Sequence, residues 1–198
     1  LENNDYLIHG ASLFNNKNNA SILIMGLPGV GKSLTTKKLL KKDNFFYIGE
    51  DLTYYEAKQN LVFAVPYSAT WYQHSQVFDF KSKNCLAFVD KNKIKNESFL
   101  KRIYILQKDF TKNAVTQVKK TNTIYNLIYN LNKIASTYKT NPLISIWNYY
   151  SNSNGSLVED LERQLIYSLI SKNEVYVVKA ESSDKFVNLI IQNENQMA

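Results

Sequence analysis

The 198-residue chain has a single cysteine, Cys85, so no intrachain disulfide can form and nothing points to an oxidising compartment. With no histidine near it in sequence, Cys85 reads as a small core residue rather than a nucleophile. There is no apolar run of about eighteen residues and no basic-then-apolar leader, which predicts a soluble, cytoplasmic protein with no membrane partner. Arginine is nearly absent: Arg102 and Arg163 are the only two, although the formal net charge is +7. Bidentate recognition of phosphate or guanine favours arginine, and the lysines are scattered or in short pairs, so nucleic acid is not the expected partner. Glycine is scarce as well. Of six glycines, Gly26, Gly29 and Gly31 fall in one short stretch.

That stretch, Gly26-Leu27-Pro28-Gly29-Val30-Gly31-Lys32-Ser33, fits the phosphate-binding loop pattern G-x-x-x-x-G-K-[ST]. It follows the apolar run Ser21-Ile22-Leu23-Ile24-Met25 and precedes a Leu/Lys-rich segment over 34–42, the strand-then-helix context the loop requires. Glycine is needed there because the backbone must curl close to a polyphosphate with several N–H groups aimed inward. Lys32 then reaches the β- and γ-phosphates, the Ser33 hydroxyl ligates Mg²⁺, and the following helix adds partial positive charge at its N-terminus. The ligand implied is Mg-ATP or another Mg-nucleoside triphosphate, and the expected binding set is residues 26–33 with Leu34. A glycine-rich turn without a ligand is the alternative reading.

Tyr6-Leu7-Ile8 and Ala11-Ser12-Leu13-Phe14, followed by an Asn-rich turn and the strand ending at Met25, read as a β-hairpin. The helix over 34–42 is expected to turn Leu34, Leu39 and Leu40 inward. Phe45-Phe46-Tyr47-Ile48 is a strand that delivers Gly49-Glu50-Asp51 to its end. Two carboxylates one strand after a phosphate loop are suited to holding Mg²⁺ and managing an attacking hydroxyl, while a charged turn is the plainer alternative. Segments 52–55 and 61–65 form a second hairpin. The aromatic stretch Tyr67, Trp71, Tyr72, Phe78 and Phe80 packs as core or lid, or lines a groove. Segments 85–89 and 103–106 are further strands.

The last third changes period, with Ile124, Leu127, Ile128, Leu131 and Ile134 at helical spacing. Pro142 begins a shorter helix, and Ser156-Leu157-Val158-Glu159 is a capping box that opens a third, with Leu157, Leu161, Leu165 and Leu169 on one face. A strand over 175–178 and a helix over 184–191 complete one domain, 1–198. The architecture expected is an α/β phosphate-loop domain with a mixed, partly antiparallel sheet and a helical C-terminal portion.

On these residues the N-terminal third resembles the kinase domain of the bacterial HPr kinase/phosphorylase family and its HPr-kinase-like relatives. In that family a His-Gly or His-Ala pair precedes the loop and an acidic pair follows the next strand. Here His9-Gly10, the loop 26–33 and Glu50-Asp51 occur in that order. The resemblance implies an ATP-dependent kinase that phosphorylates a serine of a protein or peptide, and it leaves room for a homo-oligomer. Carried over, Glu50 is the base for the hydroxyl proton, Asp51 helps Ser33 hold Mg²⁺, and His9 lies beside the phosphates. Lys32 and the loop amides stabilise the transferring phosphoryl group. The chain departs from the pattern in having Glu rather than Asp at the first acidic position. The downstream segment that helps form the HPr site is not found either, so the expected acceptor is another small protein or a precursor peptide. Two other readings stay open: a small NTPase or metabolite kinase, and a non-catalytic nucleotide-sensing or precursor-binding module.

Overall fold

Strand β3 (Ala20–Gly26) is apolar apart from Ser21 and buried at every residue, which marks it as a central strand covered on both faces. The computed structural model describes residues 5–50, 52–64, 91–137 and 155–197. Asp51, the 67–80 aromatics, the 85–89 strand and the Pro142 helix of the sequence reading lie outside the described residues.

The remaining strands are β1 (Asp5–His9), β2 (Ala11–Asn15), β4 (Phe45–Gly49), β5 (Leu52–Glu56), β6 (Leu61–Phe63), β7 (Glu97–Lys108), β8 (Ala114–Gln117) and β9 (Glu174–Ala180). The described helices are α1 (Lys32–Leu40), α2 (Thr121–Thr137), α3 (Gly155–Lys172) and α4 (Ser183–Gln196). The fold is mixed α/β. Strands β3, β7 and β9 are parallel neighbours, β2 inserts antiparallel between β3 and β4, and β8 closes antiparallel on β9. The N-terminal half of β7 turns to β6, β5 and β1, all antiparallel. Thus β7 belongs to both parts of the sheet, and the chain itself crosses between them from β1 to β2 through Gly10.

Pleat alternation divides the core. Leu23, Met25, Ile103, Ile105, Val175 and Val177 face one way and pack with Ile124, Ile128, Leu165 and Leu169 of α2 and α3. Ile22, Ile24, Tyr104, Leu106, Tyr176 and Val178 face the other way and pack with Leu39 of α1 and with Phe186 and Ile190 of α4. The result is three layers, helices on both sides of a sheet. The outer edge of β4 is covered by the chain returning to β7, where the Lys95 N–H donates to the Tyr47 carbonyl at 2.8 Å.

The Asn-rich turn makes the expected hairpin, of β2 with β3, while β1 pairs with β5. Two expectations are corrected. Leu34 does not turn inward: it is 50% exposed, whereas Thr35, Thr36 and Leu39 are buried. At about 100° per residue, Leu34 lies roughly 150° from the centre of that buried face. The strand over 103–106 extends back to Glu97, where its pattern alternates exposed and buried residues.

Within the sheet lies a buried polar network centred on Glu194 of α4, which is 2% exposed. Its carboxylate accepts from Asn15 Nδ2 (2.8 Å), Asn18 Nδ2 (2.6 Å), Arg102 Nη1 (3.2 and 3.1 Å) and the Tyr104 hydroxyl (2.6 Å). Arg102 Nε donates to Glu174 at 3.1 Å, and Asn193 Nδ2 donates to the Tyr104 oxygen at 2.8 Å. Burial alone would lower the Arg102 guanidinium, but the Glu194 charge, with Tyr104 and Glu174, outweighs it and holds the group above its ordinary value. Burial, then the Glu194 charge, pushes the Tyr104 hydroxyl far above the usual tyrosine range, so it remains a donor.

Two outcomes follow. Removing one partner of a buried pair leaves a charge unpaired, so Glu194→Ala should cost about 3–5 kcal/mol in urea unfolding. Adding Arg102→Met should recover only part of this, because Tyr104, Asn15 and Asn18 stay unsatisfied. Second, because the folded Tyr104 pKa is raised above its unfolded value, its contribution is complete below about pH 10 and lost as pH rises beyond that. Stability should therefore fall on the alkaline side, and Tyr104→Phe should flatten that fall. Tyr55 and Tyr176 shift the same way, chiefly by burial, so some slope should remain.

Candidate functional site

Strand directions decide which residues meet. Because β2 runs antiparallel to β3 and β4 runs antiparallel to β2, β4 points the same way as β3. The carboxyl ends of β3 and β4, at Gly26 and Gly49, therefore lie at the same end of the sheet as the amino end of β2. Register agrees: Ala11 pairs with Ile24, Ser12 with Gly49 and His9 with Leu52. A Cβ placed on Gly10 would lie 2.9 Å from the Ile24 carbonyl oxygen, so the His9-Gly10 backbone rests against the last residues of β3. Three separated sequence features, His9-Gly10, the loop 26–33 and Glu50, thus share one end of the sheet. That end also holds the carboxyl termini of the parallel strands β7 and β9, where open α/β sheets bind ligands.

The loop leaves β3 and enters α1 without a side-chain cap. Gly29 and Gly31 have φ of +76° and +106°, and a Cβ on Gly29 would meet no atom within 4 Å. The backbone there is left-handed, and at Gly29 it is open on the side that a Cβ would occupy. Lys32 curls back over it, its Nζ donating to the carbonyls of Gly26 (2.8 Å) and Leu27 (3.3 Å). The ammonium is thereby held at the curve of the loop. Thr36 Oγ1 donates to the Lys32 carbonyl at 2.9 Å, and Val30 is buried beneath the loop.

On one side of the loop, Thr53 Oγ1 ties β5 to β2 by donating to the Gly10 carbonyl (2.9 Å) and meeting Ser12 Oγ (3.0 Å). Glu50 follows β4 and is 2% exposed; His9 is partly buried. Two strand spacings of about 4.8 Å separate β4 from β3, so Glu50 stands roughly 10 Å from the strand that feeds the loop. On the other side, the first turn of α4 approaches α1: Lys38 Nζ meets Asp184 at 2.7 Å and donates to Ser183 Oγ at 3.0 Å. Ser183 also comes to the loop, its Cβ lying 4.0 Å from where a Gly31 Cβ would be.

The structure brings together His9, Gly26 to Ser33, and Glu50. Leu27 and Leu34 are about half exposed on the loop and first helical turn. Among the described residues no three His, Cys, Asp or Glu side chains cluster as a metal site. What the sequence reading missed at this end is Ser183 and Asp184, whose signal was the Ser-Ser-Asp start of the last helix. No described helix is long and apolar enough to cross a membrane.

No protein-family model matches the chain, and no curated protein matches it. Among solved structures it is similar to the Hpr(Ser) kinase/phosphatase from Coxiella burnetii, at a TM-score of 0.47 and 9% identity, over 97% of this chain and 92% of that one. A likeness at this level says nothing about chemistry.

Because a Gly31 Cβ would meet only Ser183 Cβ, at an ordinary contact distance of 4.0 Å, Gly31→Ala should cost only conformational strain. The expected loss is about 1–3 kcal/mol, measured as a shift in the urea midpoint.

Proposed function

We propose that the chain is an ATP-dependent kinase that transfers the γ-phosphoryl of Mg-ATP to a hydroxyl, serine in the first instance, of a protein or peptide. The observation that carries this reading is the open, left-handed glycine loop between buried β3 and α1, with Glu50 and His9 at the same sheet end. The open cradle at Gly29 and the ammonium over the loop suit a polyphosphate.

On this reading, the loop amides and Lys32 bind the phosphates and offset the charge of the transferring group. Mg²⁺, held by Ser33 and Asp51, would neutralise the β- and γ-oxygens. Glu50 accepts the proton of the acceptor hydroxyl as its oxygen bonds to the γ-phosphorus and the bond to the β–γ bridging oxygen breaks. The products are a phosphoester and ADP. His9, partly buried at the same end of the sheet, would lie beside the phosphates.

Incubation with γ-labelled ATP, Mg²⁺ and a serine-containing peptide library should label peptide. Lys32→Ala and Glu50→Gln should each lower labelling by about a hundredfold or more. Release of free phosphate alone would favour an NTPase, and ATP binding without turnover would favour a nucleotide sensor; either result would defeat the kinase reading.

A further inference from the structure

Phe110 is the most exposed large hydrophobic side chain among the described residues, at 78%. It does not sit on a loose loop. Asp109 Oδ1 accepts from the Thr111 N–H (2.9 Å), the Thr111 hydroxyl (2.7 Å) and the Lys112 N–H (3.1 Å), which closes the turn that carries the ring. The Asp109 N–H donates to the Ala180 carbonyl at 3.1 Å, and Lys179 Nζ lies 3.7 Å from Asp109 Oδ2, so the turn is fastened to β9. An aromatic ring held outward at a fixed place costs little entropy to engage and is a ready stacking surface.

Its place relates it to the glycine loop. Gly26 pairs with Leu106, and Phe110 follows four residues later, within about 13 Å of chain. From Ala180 the chain runs through Glu181 and Ser182 to Ser183, which approaches Gly31. The β7 and β9 ends therefore flank the loop opposite to Glu50 and His9. This inference rests on the nucleotide reading given above. If the γ-phosphate points towards Glu50, the nucleoside must leave the loop on the β7/β9 side, where Phe110 stands.

We propose that Phe110 is the stacking platform for the nucleobase of the bound nucleoside triphosphate. Stacking engages the π-face that every base has, so the platform holds the base without selecting it.

The test is calorimetric binding of Mg-ATP and of Mg-tripolyphosphate, which lacks base and sugar, to the wild type, Phe110→Ala and Phe110→Trp. Phe110→Ala should weaken Mg-ATP by about tenfold or more and leave tripolyphosphate unchanged, while Phe110→Trp keeps the wild-type affinity. Unchanged Mg-ATP affinity in Phe110→Ala would overturn the inference. So would an equal loss for both ligands, which would mean that the turn acts through the loop rather than on the base. A wild type that binds tripolyphosphate as tightly as Mg-ATP would overturn this inference alone. A wild type that binds neither would overturn the nucleotide reading as well.

Discussion

A single buried carboxylate organises the sheet. Glu194 receives donors from the turn after β2, from the middle of β7 and from Tyr104 beside it. Charge inside a protein is costly, and only near-complete hydrogen bonding offsets it. Two donors come from the end of β2 and the turn after it and two from β7, so satisfying the carboxylate requires α4, β2 and β7 in place at once. A one-residue slip of β7 would carry Arg102 to the other face, leaving both charges buried and apart. The network thus fixes the register of β7 against β3 and β9, and through β3 the point at which the glycine loop begins.

The polar network and the loop occupy opposite ends of the same strands. Arg102 pairs with Ile22 and Leu106 pairs with Gly26, so about four residues, or roughly 13 Å, separate the two ends along β3. Helix α4 reaches both. Its first turn carries Ser183 and Asp184 to Lys38 and the loop, and its last turn carries Glu194 into the network. With 14 residues it spans about 21 Å. The loop end is therefore buttressed by a strut whose far end is locked, and the open backbone at Gly29 and Gly31 needs no apolar packing of its own.

Much of this was legible in the sequence, for a physical reason. Continuous apolar runs such as Ile22 to Met25 and Val175 to Val178 can only be central strands in a chain with helical stripes enough to cover them. The glycine-rich loop was legible because so few glycines lie elsewhere. Chemistry that depends on distance was not. Glu194 lies beyond the apolar stripe of the last helix, 92 positions from Arg102, and no local pattern joins them. The first half of β7 alternates Glu97, Phe99 and Lys101 outward with Ser98 inward, which gives a weak strand signal. Leu34 misled because a leucine in a helix reads as core; the two buried threonines of α1 show that proximity to the sheet, not apolarity, decides that face.

The insertion of β2 between β3 and β4 also bears on chemistry. It sets Glu50 about two strand spacings from the strand feeding the loop, and it fills the gap with the His9-Gly10 backbone, whose carbonyl is already engaged by Thr53. On the kinase reading, an acceptor hydroxyl must fit between the phosphates and a carboxylate that is nearly closed to solvent. A side chain on a slender, extended segment can enter such a gap more readily than one on a rigid globular surface. On that reading, glutamate, one methylene longer than aspartate, would give the carboxylate a longer reach from the end of β4. The longer residue and the inserted strand are then two parts of one geometry, and shortening Glu50 to aspartate would widen the gap that the acceptor has to bridge.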